Sequence, residues 1–93
     1  MSDIIRKRIS FYGSVQGVGF RFRAKHAAAA AGAPGWVRNE YAGSVSMEIQ
    51  GTEAQILKVI SEIEQGTFVH IYDMDVRQIP VIRDERGFSS AYY

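Results

Sequence analysis

The most constraining stretch of this sequence is the glycine-rich segment GSVQGVGFR, which runs from Gly13 to Arg21. It contains three glycines and a single charge, and it lies between an alternating, strand-like run and an alanine-rich, helix-like run. Glycine adopts positive φ angles readily and lets another group approach the backbone closely. Because the side chains of this segment offer little chemistry, its main-chain N–H groups are what it can use to bind a ligand.

The patterns on either side of this segment predict a small set of strands and helices. Alternating apolar residues indicate strands, apolar residues at helical spacing indicate helices, and glycine or proline marks the ends. Thr52 and Gln55 have the spacing of a capping box, which places the start of the second helix at Thr52. In chain order, the predicted elements are a strand over 5–12, a helix over 20–31, strands over 35–39 and 44–50, a helix over 52–65, a strand between 70 and 82, and a final strand over 88–93.

The order β-α-β-β-α-β, followed by an extra terminal strand, predicts an α+β fold. We expect a ferredoxin-like βαββαβ sandwich, with an antiparallel sheet and two helices packed on one face. Ninety-three residues with 46% hydrophobic content suit one domain spanning residues 1–93. Many unrelated functions use this fold, so function must be argued from a site.

Composition excludes several classes of function. The chain contains no cysteine, which excludes disulfide and thiol chemistry and fits a reducing compartment, so we expect a cytoplasmic protein. His26 and His70 are far apart and belong to no cluster with ligand spacing, so no metal site is expected. No segment has the length and hydrophobicity of a membrane span. Residues 4–39 contain seven basic residues and no acid, a pattern that fits either ordinary solvated surface charges or a positive field that attracts a small anion or a nucleic acid.

The glycine segment is suited to binding an anion. Where a glycine turn leads into a helix, successive N–H groups converge at the positive end of the helix dipole. Arg21 falls at the predicted helix start, where its guanidinium can add a bidentate grip. The lysine of a Walker loop and the third glycine of a dinucleotide fingerprint are both absent. The alternative is a tight strand-to-helix turn that simply requires glycine.

Taken together, two motifs resemble the signatures of the acylphosphatase family. The first signature, Gly-x-Val-Gln-Gly-Val-x-Phe-Arg, is matched by residues 13–21. The second is matched by Gly35, Trp36, Val37, Arg38 and Asn39, followed by Gly43, Val45 and Gly51. The resemblance extends over nearly the whole chain, and the fold of that family is the one predicted above.

The resemblance implies hydrolysis of a small-molecule acyl phosphate to a carboxylate and phosphate, with no metal or cofactor. It implies that Arg21 binds the phosphate and that Asn39 orients the attacking water. The backbone cradle would be formed by Gln16, Gly17, Val18, Gly19, Phe20 and Arg21. In the family, the first and second strands run in the same direction with the third between them, so their ends would lie about 10 Å apart at one edge. We expect a monomer with no nucleic-acid or membrane partner.

Two alternatives remain open at this point. The first is a non-catalytic ferredoxin-like module that binds an anion or RNA, although RNA-binding domains of this topology carry stacking aromatics on the central strands and the third strand here has none. The second is an acylphosphatase-like domain that works within a larger protein, as at the front of hydrogenase-maturation carbamoyltransferases. In either case Trp36 is expected to pack on the sheet and Arg38 to be solvated.

Overall fold

The structure, a computed structural model, describes residues 3–91. Within that range the predicted order of elements is confirmed, while the final two positions of the last predicted strand, 92 and 93, lie outside the described residues. The elements are β1 (Ile5–Ser14), α1 (Phe20–Ala31), β2 (Gly35–Asn39), β3 (Val45–Gly51), α2 (Glu53–Glu64), β4 (His70–Ile79) and β5 (Phe88–Ala91).

The five strands form one sheet in the order β4-β1-β3-β2-β5. The four strands from β1 to β4 pair antiparallel, as predicted, but β5 runs parallel to β2 and makes the sheet mixed. The reason is that the chain reverses after β4 and crosses to the opposite edge of the sheet. Because β3 lies between β1 and β2, these two strands run in the same direction and both end at one edge of the sheet.

The hydrophobic core lies between one face of the sheet and the two helices. Alternate residues of β1 and β3 and the apolar stripe of α2 are all buried there, as their periodicity predicts. In α1 the buried positions Ala24 and Ala28 are small, which lets this helix approach the sheet closely. Phe11 and Phe20 pack edge to face with their ring centroids 4.9 Å apart, so the start of α1 is fixed against β1. Neither helix within residues 3–91 has the length and apolar character needed to cross a bilayer.

Arg6 is fully buried, although alternation places it on the polar face of β1. The segment that follows β4 covers this part of the outer face. The Arg6 guanidinium donates to Glu85 at 2.7 Å and to Glu48 at 2.9 Å, while Gln50 exchanges two hydrogen bonds with the backbone of Ile82. A buried charge is tolerated only when it is paired and hydrogen-bonded, and these contacts satisfy that requirement.

The predicted capping box of α2 is confirmed and supports a stability prediction. Thr52 Oγ1 accepts from the Gln55 N–H at 3.1 Å, and Gln55 Oε1 accepts from the Thr52 N–H at 2.7 Å. We expect Thr52→Ala to lower the free energy of unfolding by about 1 kcal/mol, because an N-terminal donor of the helix loses its acceptor. Urea unfolding measures the change, with the exposed Thr67→Ala as the control. Equal midpoints for the two variants would contradict the prediction.

Candidate functional site

Residues 15–19 connect β1 to α1 in a conformation that requires glycine. Gly17 and Gly19 have φ angles of 70° and 82°, in the left-handed region that other residues rarely adopt. A Cβ atom built at either position would meet nothing within 4 Å, so the requirement comes from the backbone and not from lack of space. The buried side chains of Val15 and Phe20 fix the two ends of the loop in the core.

The loop leaves a group of backbone donors unused. Within residues 3–91, the N–H groups of residues 16–20 donate to no backbone or side-chain acceptor. Gly19 is the N-cap of α1 and has no side chain to satisfy the free N–H groups, and the first turn of the helix contains no acid. The positive end of the helix dipole therefore faces a loop whose donors are available to an anion.

Arg21 lies in the first turn of α1, where the sequence predicted it. Its side chain is half-buried, and Nη1 is 3.5 Å from Oγ of Ser90 in β5, a long contact. The guanidinium therefore extends from the first turn of α1 towards β5.

Asn39 is the last residue of β2 and lies at the same edge of the sheet. It pairs with Val45 of β3, and Phe11 of β1 pairs with the same Val45 from the other side. The side-chain Oδ1 of Asn39 is buried and has no hydrogen-bond partner among the described residues. A buried acceptor left without a donor costs about 1–3 kcal/mol, so this atom can accept a hydrogen bond from a donor outside residues 3–91.

The side chain of Gln16 joins the glycine loop to the turn that follows Asn39. Its Nε2 donates to the backbone oxygens of Glu40 at 2.7 Å and of Ser44 at 2.9 Å. From the sequence, only the backbone of Gln16 is expected at the site. No local signal could have indicated the bridging side chain, because its acceptors lie 24 and 28 residues further along the chain.

Other features of the surface do not coincide with this site. Among residues 3–91 there is no group of three or more histidine, aspartate or glutamate side chains that could hold a metal ion. His26 stacks against Phe22 on the exposed side of α1, and His70 is exposed at the start of β4. A larger groove lies between the outer sides of α1 and α2, but it contains none of the predicted site residues. The loop suits a small anion, which needs converging donors more than a deep cavity.

Comparisons with known proteins identify the family and the fold of this chain. The acylphosphatase family model matches residues 7–90. An acylphosphatase of Clostridium beijerinckii is 38% identical over 90 residues, covering 96% of this chain and 100% of the relative. One from Geobacillus thermodenitrificans is 39% identical over 88 residues, covering 94% of each chain. The crystal structure of Bacillus subtilis acylphosphatase superposes with a TM-score of 0.85 at 29% identity, covering 95% of this chain and 99% of that one. This chain belongs to the acylphosphatase family.

Proposed function

We propose that the acylphosphatase activity of this chain, the hydrolysis of acyl phosphates to carboxylate and phosphate, is carried by the loop of residues 16–21 together with Asn39. The observation that supports this most strongly is the set of unused N–H groups at the start of α1, the helix whose first turn contains Arg21. In this proposal the N–H groups of Gln16 to Phe20 and the Arg21 guanidinium bind the phosphoryl oxygens of the substrate.

The chemistry of the substrate explains why so few side chains suffice. The leaving group is a carboxylate whose conjugate acid has a pKa of about 4, so it departs without a proton donor. Negative charge on the phosphoryl oxygens needs fixed donors, and N–H groups held by a rigid loop provide them without reorganisation. No covalent intermediate on the enzyme is required.

The attacking water is assigned to Asn39. An O–H of that water would donate to Oδ1, the buried acceptor that lacks a partner among residues 3–91. This hydrogen bond would hold the water in line with the bond between phosphorus and the leaving oxygen, which is the geometry that phosphoryl transfer requires. A phosphoryl oxygen of the substrate would then accept the proton of the water.

We extend the proposal to the setting in which the protein works. A single domain spanning residues 1–93 would form the complete site as a monomer in the cytoplasm, without metal, cofactor or nucleic acid. The absence of cysteine, which fits a reducing compartment, supports the cytoplasmic setting, and a net charge of only +1 is small for a protein that binds a polyanion.

The activity is tested by measuring phosphate release from benzoyl phosphate and from glycerol phosphate. We expect release from the acyl phosphate alone, because an alkoxide is a poor leaving group and the proposed site offers it no proton donor. Addition of EDTA should leave the rate unchanged. Hydrolysis of both substrates, or loss of activity in EDTA, would contradict the proposed chemistry, and lack of activity on several acyl phosphates would contradict the function itself.

A further inference from the structure

The face of the sheet away from the helices carries a row of paired charges built around Trp36. The guanidinium of Arg8 lies 5.3 Å from the Trp36 ring centroid, and that of Arg38 lies 5.1 Å from it. Each guanidinium also binds an acid: Arg8 donates to Glu48 at 2.9 Å, and Arg38 donates to Glu40 at 2.8 Å. The row thus runs across β1, β3 and β2 and ends at Glu40, the residue that follows Asn39.

Glu40 is held through both its main chain and its side chain. Its N–H donates to the Ser44 backbone oxygen at 2.8 Å, and its own backbone oxygen accepts from Gln16 Nε2 at 2.7 Å. Its carboxylate Oε2 accepts from Arg38 Nε at 2.8 Å. The backbone on the C-terminal side of Asn39 is therefore fixed from several directions.

The carboxylate of Glu40 lies away from the phosphate loop. Successive side chains of a strand point to opposite faces, so Arg38 and Glu40 share the outer face while Asn39 points towards the helix side. The side chain of Glu40 is 28% exposed, and its contacts are with β2 and β3. Its effect on the reaction would therefore be indirect, through the position of Asn39 or through the backbone contact with Gln16.

We propose that Glu40 is a positioning residue, whose carboxylate, held by Arg38, fixes the direction of the Asn39 amide without contacting the substrate. This inference rests on the role proposed for Asn39. Small misplacements of a group that orients a reacting molecule cost turnover steeply, whereas binding of the phosphoryl group by the loop does not depend on that direction.

The electrostatics of Glu40 keep this arrangement intact at neutral pH. The Ser46 hydroxyl and then the Arg38 guanidinium, assisted by the more distant charge of Arg8, hold the pKa of the Glu40 carboxyl below its usual value of 4.5. A lowered carboxyl pKa contributes stability that is present above the usual value and lost as the pH falls below it. The contacts that hold the Glu40 carboxylate are therefore unchanged throughout the neutral pH range in which activity is measured.

The test is a double-mutant cycle between Glu40 and Asn39, with benzoyl phosphate as substrate and inorganic phosphate as competitive inhibitor. We expect Glu40→Ala to lower kcat about tenfold and to leave KM and the phosphate inhibition constant within about twofold of the wild-type values. Glu40→Gln, which retains an acceptor for Arg38, should lose less. In the Asn39→Ala background, neither substitution at position 40 should lower kcat further, because the group being positioned is gone.

A matched control separates this effect from general destabilisation. Glu53→Ala removes an exposed carboxylate paired with Lys7 at 3.3 Å, far from the loop in sequence, and should retain wild-type kcat. Urea unfolding of every variant establishes whether each is folded under assay conditions. If Glu40→Ala does not fold, the double-mutant cycle is measured with Glu40→Gln alone.

The possible failures can be told apart. If Asn39→Ala lowers kcat but the Glu40 substitutions lower it by the same factor in both backgrounds, or not at all, Glu40 does not act through Asn39 and only this inference is overturned. A parallel rise in KM and in the phosphate inhibition constant would instead assign Glu40 to the loop through Gln16, which also overturns it. If Asn39→Ala itself turns over like the wild type, the proposed role of Asn39 is contradicted. The inference about Glu40, which depends on that role, is then contradicted as well.

Discussion

Arg21→Ala is expected to abolish detectable phosphate binding and to reduce turnover of acyl phosphates by at least about 10³-fold, the range in which a transition-state arginine contributes to phosphoryl transfer. The loop supplies neutral N–H donors, and the guanidinium supplies the full positive charge beside them. Without that charge, a phosphoryl dianion would lose its strong hydration on binding, and the neutral N–H groups would compensate for that loss only in part. Substrate affinity and transition-state stabilisation should therefore fall together.

Isothermal titration with inorganic phosphate and a phosphate-release assay measure the two effects separately. Arg23→Ala is the matched control, because it removes the same kind of side chain from the same helical turn. The Arg23 Nε donates to the backbone oxygen of Glu62 in α2 at 3.2 Å, on the other side of the helix, so phosphate affinity should be retained. Equal phosphate affinity in Arg21→Ala and the wild type would remove Arg21 from the site.

The boundaries of most elements could be predicted because local chemistry determines them. Gly32 ends α1 in the left-handed conformation, and its N–H bonds to the oxygens of Ala28 and Ala29, as expected for glycine at a helix end. Thr52 and Gln55 cap α2 through contacts only three residues apart. Strand β2 was predicted with its observed bounds because Gly35 and the turn after Asn39 limit it on both sides.

Features that depend on distant partners could not be predicted. The burial of Arg6 depends on Glu85, 79 residues away, and alternation along β1 says nothing about a segment that returns to cover it. Arg38 was expected to be solvated, and its side chain is 39% exposed, but the sequence did not indicate that it also lies over Trp36 and pairs with Glu40. The parallel direction of β5 likewise depends on where the chain crosses the sheet.

The site itself was predictable only in part for the same reason. The two signatures identified the loop, Arg21 and Asn39, and the strand order places the loop and Asn39 at one edge of the sheet, as expected. Their catalytic roles stay predictions. The sequence indicated no role for Glu40, because its contacts with Arg38, Ser44 and Gln16 form only when β2, β3 and the loop are assembled.

Asn39→Ala is expected to lower kcat by about 10²–10³ while phosphate binding is retained, which is the loss typical of one positioned group that acts in the transition state. The reason is that the loop and Arg21, which bind the phosphoryl group, are unchanged, whereas the water loses its orienting hydrogen bond. Initial rates with benzoyl phosphate give kcat and KM, and competition by inorganic phosphate gives the affinity of the loop. Gln78→Ala, which removes an exposed amide from the edge strand β4, is the control and should retain wild-type turnover.

The stability of Asn39→Ala distinguishes a functional amide from a structural one. Because Oδ1 makes no hydrogen bond within residues 3–91, its removal should leave the free energy of unfolding within about 1 kcal/mol of the wild-type value, or raise it. Groups held in an unfavourable environment for the sake of a reaction commonly behave in this way, since their removal costs activity and not stability. A variant that unfolds easily but turns over normally when folded would show that Asn39 serves the turn alone, and the water would then need another acceptor.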